Sequence, residues 1–202
     1  MHFHIISAFF LGFGGYSFAF LMMWVTGRFT ISGIKDFSDS LPIIFMVLIY
    51  TLYIAVSEEL IFRGFVLSSM RKLYSLPAAI IISNLLFILY HLPKLNHLLH
   101  SPYALHLLAA GLLYTFAYLA FNSIWVSIGL HWGSNMAVFS LLDNTYPFYQ
   151  LGYETRLLNL EPYQLSMPGW LNLYSYMSLL GHLLVFVLLL RDRGTGTLSH
   201  RL

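Results

Sequence analysis

The chain has 202 residues, of which 58% are hydrophobic and only 9% charged, where an average soluble domain carries about 25% charged residues; a water-soluble globule is excluded and a membrane protein indicated. The net charge of +2 is spread thinly, with no basic run of the kind that binds nucleic acid, so nucleic-acid partners are not expected. There is no cysteine, which removes disulfides, thiolate metal ligands and a cysteine nucleophile together.

Six apolar stretches follow one another at about 5–26, 41–66, 77–92, 103–121, 123–142 and 171–190. Each is compatible with a helix crossing a hydrocarbon layer of ~30 Å. The alternating ten-residue segments of a membrane β-barrel are absent, so the expected fold is all-α, a polytopic helical bundle of about six transmembrane helices. The first stretch is preceded only by "MHFH", without the basic n-region of a secretory signal, and is followed by Arg28; it reads as a retained span. The third is short and is expected to extend into "HLPK" or to tilt. The connections are "GRFTISGIKDFSDS", "MRKLYS", "PKLNHLLHS", a very short "FNS", a longer polar stretch from Asp143 to Trp170, and the tail "RDRGTGTLSHRL". Short loops force neighbouring helices to pack antiparallel. One domain over 1–202 is expected, with a motif-bearing core at about 41–142 and no internal repeat. Lys and Arg divide five against four between the two sides, and the basic tail favours cytoplasmic termini. The loop 143–170, rich in proline and aromatic residues, suits the membrane interface.

The second stretch contains "YIAVSEELIFRGFV", in which Glu58, Glu59 and Arg63 interrupt an apolar run. A charge at the bilayer centre costs about 2.5–3.5 kcal/mol on insertion scales, so these groups must pair or face a polar cavity. Glu59 and Arg63 are four apart and share a helix face. Glu58 is five from Arg63, about 140° round an α-helix, and is the carboxylate left over. Adjacent carboxylates exchange roles with a modest helix rotation, so spacing alone leaves open which is the base. The next helices carry companions: Asn84, Phe87 and His91 on one face of "SNLLFILYHL", and His131 with Asn135 on one face of "IGLHWGSNMA". Three polar faces within an apolar zone have lower energy turned towards one another than towards lipid. Intramembrane His and Asn are often plain helix–helix hydrogen-bonding residues. The glutamates turn the set towards a base, a second proton carrier and oxyanion donors.

Taken in order, "EELIFRG", "FILYH" and "HWGSN" resemble the EExxxR, FxxxH and HxxxN/D motifs of the CAAX protease and bacteriocin-processing (CPBP, or Abi) family of intramembrane proteases, over residues 53 to about 140. The resemblance implies an intramembrane endopeptidase that hydrolyses peptide bonds of membrane-associated peptides or proteins. Glu58 and His91 would activate a water, His131 and Asn135 would stabilise the oxyanion, and Glu59, Arg63, Phe87 and Asn84 would support them. No cofactor is favoured; a zinc mechanism would use Glu58, His91 and His131. The implied partners are membrane lipid and a peptide or membrane-protein substrate, in the cell membrane of a prokaryote. Two further readings stand beside it: a non-catalytic membrane immunity or binding protein of the same fold, and a proton-coupled carrier, which would carry paired halves that are not seen here. His97, His100 and His106 read as interfacial histidines, His182 as a packing residue, and Ser57 as lacking the adjacent base a nucleophile needs.

Overall fold

The computed structural model describes residues 5–91, 103–142, 157–161, 179 and 181–190. The extension of the third span into "HLPK", His97, His100, most of the loop 143–170, the start of the last apolar stretch and the basic tail lie outside them.

The described chain is helical apart from one small ribbon. α1 (Ile5–Val25) ends where Gly27 adopts φ +69°. There the Arg28 N–H donates to the Met23 carbonyl at 3.0 Å and the Gly27 N–H to that of Trp24 at 2.9 Å, a Schellman stop that needs a residue tolerant of the left-handed region. β1 (Thr30–Ile34) then pairs antiparallel with β2 (Leu158–Glu161), with a register shift between Ile31 and Gly33. This corrects the expectation of plain loops at both places. Thr30, Ile31 and Ile34 are β-branched and favour extended backbone, and pairing satisfies the peptide groups of both strands.

α2 (Phe37–Glu59) does not stop at the glutamates. It passes into an eight-residue π-helix (Leu60–Leu67) and on into α3 (Ser68–Leu73). The rod from Ser38 to Leu73 is 36 residues long, roughly 50 Å at helical rise, so it overshoots the apolar layer and carries Arg71 and Lys72 at its end. Widening a helix to i→i+5 bonding leaves carbonyls poorly used, and hydroxyls fill the gap. Ser83 donates to the Phe62 carbonyl at 2.8 Å and Ser68 to that of Arg63 at 3.1 Å. α4 (Leu76–His91) packs on the π-helix. α5 (Tyr103–Phe121) and α6 (Ile124–Ala137) are joined through Asn122 at φ +48°, a left-handed turn that asparagine accepts. A second π turn, Val138–Leu142, extends α6. α7 covers Gly181–Leu190.

α6 is the central helix. It touches α1, α2 and α5 and is buried almost all round, from Val126 to Leu130 without a break. The approach of α1 is backbone against backbone: a Cβ on Gly133 would overlap the Phe9 carbonyl oxygen, and one on Gly12 that of Leu130. Small residues let membrane helices meet this closely. Of the described helices, α1, the α2–α3 rod and α5 are long and apolar enough to cross a membrane, whereas α4 and α7 are shorter apolar helices. The protein is a mostly helical membrane bundle, and His131, on the most enclosed helix, sits in its interior.

Candidate active site

Glu58 and Glu59 close α2 at the start of the π-helix, and the two carboxylates have different surroundings. Glu59, fully buried, receives the Arg63 Nη1–H at 2.8 Å on Oε1. His131 Nδ1 lies 2.8 Å from the same oxygen, and the Ser127 hydroxyl donates to Oε2. The four-residue pairing expected of Glu59 and Arg63 is what forms. Glu58 is 5% exposed, and its Oε2 has no hydrogen-bond partner among the described residues. That oxygen lies 3.8 Å from His91 Nε2 and 3.7 Å from His131 Nε2.

Both imidazoles are oriented through their other nitrogen. His91 Nδ1 is 2.7 Å from the Phe87 carbonyl oxygen, which only accepts, so Nδ1 carries the proton and donates it. His131 Nδ1 faces the Glu59 carboxylate, and the same argument applies. Each ring therefore turns Nε2 towards Glu58. The rings are also held flat. Tyr114 stacks on His131 with centroids 4.6 Å apart and planes at 14°, and Phe87 lies 4.7 Å from the His91 ring.

Behind this layer stands Arg63, 1% exposed. Its Nη2 donates to the Gly111 carbonyl at 2.7 Å and its Nε to Thr115 at 3.4 Å. Its guanidinium carbon lies 5.0 Å from the Phe87 ring centroid and 5.6 Å from that of Tyr114, a cation between two aromatic faces.

Glu58, His91 and His131 are thus brought together, with Glu59 and Phe87 in contact with the histidines. Asn84 is placed elsewhere: its amide nitrogen donates to the Ile80 carbonyl at 2.9 Å and to Thr115 at 3.3 Å, so it belongs to the layer around Arg63. Asn135 lies one turn beyond His131 on α6, half-buried, and among the described residues it makes no hydrogen bond to the glutamate or the histidines. His106 is corrected from an interfacial to a buried residue, and His182 is a buried residue packed against it. They sit 5.4 Å apart by ring centroid, with Tyr16 donating or accepting across 3.0 Å at His106 Nε2. Sequence reasoning passed over Ser127, Tyr114, Gly111 and Thr115. Ser127 had a signal, since it precedes His131 by four and Asn135 by eight on one helix face; the α5 residues are hidden in an apolar run.

A tetrahedral zinc site sets its ligand atoms about 3.4 Å apart, at Zn–N and Zn–O distances near 2.0–2.1 Å. The Glu58 to histidine separations of 3.7 and 3.8 Å are wider, and among the described residues no group of three His, Cys, Asp or Glu is placed to hold a metal ion. A water is a better match in size: at hydrogen-bond distances of about 2.8 Å one molecule reaches Glu58 Oε2 and either imidazole.

A buried carboxylate and two oriented imidazoles are thus carried on separate helices of an apolar bundle. The chain is an integral membrane protein. Residues 40–137 match the family model described as type II CAAX prenyl endopeptidase Rce1-like, and the chain belongs to this family, whose members are CAAX-type intramembrane proteases. The matched segment runs from the first turns of α2 to the end of α6, so it contains all three polar faces. No curated protein and no solved structure gives a match.

Proposed function

We propose that the chain is an intramembrane endopeptidase acting on membrane-associated peptides or proteins, in which Glu58 activates a water. The observation that carries this reading is the Glu58 Oε2 atom: buried, without a hydrogen bond among the described residues, and flanked at 3.7 and 3.8 Å by two Nε2 atoms. A water in that gap donates one O–H to Glu58 and the other to an imidazole. As the water oxygen attacks the scissile carbonyl carbon, Glu58 takes the proton, with His91 holding the water in line. The carbonyl oxygen becomes an oxyanion on the α6 side, where His131 and Asn135 lie in successive turns. The proton then passes to the leaving nitrogen as the C–N bond breaks. Fixed donors in a dry site are typically worth several kcal/mol to such an intermediate.

The test uses the full chain in lipid nanodiscs, with a farnesylated CAAX peptide and an unprenylated apolar peptide as probes. Cleavage of either by the wild type, abolished in Glu58→Gln and in His91→Ala while both variants remain inserted and folded, is the expected result. Wild-type turnover in both variants refutes the assignment. Activity lost to a zinc chelator and restored by zinc would replace the metal-free chemistry with a metal-dependent one.

A further inference from the structure

Resting on that reading, we infer that Ser127 is a positioning residue for the hydrolytic site: it clamps the Glu59 carboxylate against His131 so that this imidazole presents a bare Nε2 to Glu58. The contacts of Glu59 carry the inference. The Ser127 hydroxyl donates its one proton to Glu59 Oε2, with the Tyr114 carbonyl, 3.2 Å from the same hydroxyl oxygen, as a competing acceptor. Arg63 meets the other carboxylate oxygen at 2.8 Å. Glu59 is thus gripped at both ends, by a cation on Oε1 and a hydroxyl on Oε2, and its plane is fixed. The remaining capacity of Oε1 is aimed at His131 Nδ1, 2.8 Å away, with Tyr114 stacked on the ring to stop it rotating.

The arrangement has the logic of an acid–histidine pair in a hydrolase, in which the carboxylate selects the tautomer and holds the ring. Ser127 adds what the ion pair lacks. A carboxylate bound only by Arg63, four residues away on the same rod, can pivot about that contact. The hydroxyl comes from α6, the helix that carries His131 one turn later, so it ties the carboxylate to the imidazole's own backbone. The consequence for the chemistry is specific. A neutral His131 with its proton on Nδ1 meets the water and Glu58 as an acceptor. It becomes an oxyanion donor only while it holds the proton released by the water, passed from Glu58 to its Nε2 across 3.7 Å, before that proton goes on to the leaving nitrogen.

The experiment is nitrogen NMR on the full chain in nanodiscs with histidine labelled at both ring nitrogens, the His131 signals being identified by their loss in His131→Gln. In the wild type the expected spectrum has the proton on Nδ1 alone. A wild-type His131 protonated on Nε2 with a bare Nδ1 overturns the clamp without any variant. In Ser127→Ala, which removes one hydroxyl and no carbon, the two tautomers are expected to mix and kcat to fall by about 10- to 100-fold, the range for loss of an orienting partner, with KM unchanged. His131 signals identical to wild type overturn the inference, whether or not kcat falls, because a slower enzyme with an unmoved imidazole makes Ser127 merely structural. A wild type that cleaves neither probe but shows the tautomer shift sinks the protease reading and leaves the clamp standing.

Discussion

Replacing Arg63 by Met tests whether the charges of the second span are tolerated because they neutralise one another. Arg63 and Glu59 are 1% and 0% exposed and 2.8 Å apart. Arg63→Met keeps most of the side-chain volume but leaves Glu59 as a buried carboxylate held only by Ser127 and His131. Removing one partner of a buried pair costs about 3–5 kcal/mol. The Gly111 carbonyl also loses its 2.7 Å donor, which adds about 1 kcal/mol. Glu59→Gln, which strands the cation instead, should cost a similar amount. The double variant Arg63→Met/Glu59→Gln contains neither stranded charge, so its loss should be smaller than the sum of the singles by roughly 2 kcal/mol or more. The assay is reversible unfolding of the purified chain in mixed micelles, followed by tryptophan fluorescence. Additivity within about 0.5 kcal/mol would refute the compensation argument. So would an Arg63→Met protein as stable as wild type. The double variant also separates stability from chemistry: although part of the stability is recovered relative to the sum of the singles, cleavage should stay impaired, because a neutral amide at position 59 no longer dictates the tautomer of His131.

Asn135→Ala should lower kcat on the cleaved probe by about 100-fold, in the range for loss of one oxyanion donor, with KM held; an unchanged kcat removes Asn135 from the site. Gly133→Ala forces a Cβ into the Phe9 carbonyl and should destabilise the bundle by about 1–3 kcal/mol, the range for overpacking, read as a lower unfolding midpoint in the same micelles. Ser83→Ala strips the π-helix carbonyl of Phe62 of its donor and should cost about 1 kcal/mol, with hydrogen exchange rising across 60–67 rather than in α6. His182→Phe, outside the Glu58 layer, should leave turnover of the probe within about twofold of wild type.

Much of this arrangement was legible in the sequence because membrane physics leaves few choices. Glu58, Glu59 and Arg63 are conspicuous in a chain with only eight acidic residues, and four-residue spacing on a helix fixes which of them can pair. Hydropathy located α1, α4 and α5 to within a residue or two. What escaped is what hydropathy does not encode. The π-helix is a choice between two helical bonding patterns within one apolar run, settled by tertiary hydroxyls from Ser83 and Ser68. The ribbon pairs segments more than a hundred residues apart. Gly111 and Thr115 act through a backbone carbonyl and a hydroxyl that look unremarkable in α5. The burial of His106 beside His182 depends on how α1, α5 and α7 meet, which no local pattern states.

The two adjacent glutamates make sense only when the layers around them are considered together. A single buried carboxylate on α2 would be a costly group with no fixed orientation. Placing a second one beside it, bound to Arg63, supplies an anion that α6 can use twice, through Ser127 and through His131. The cation needed for that anion is shielded by Phe87 and Tyr114, and these are the same two rings that flank His91 and His131. Neutralisation of Glu59 and orientation of both imidazoles are therefore one packing problem with one solution. Glu58 is left as the carboxylate whose Oε2 has no hydrogen-bond partner among the described residues. In an apolar interior an unmet acceptor of this kind costs free energy, and a donor such as a water O–H is what lowers it.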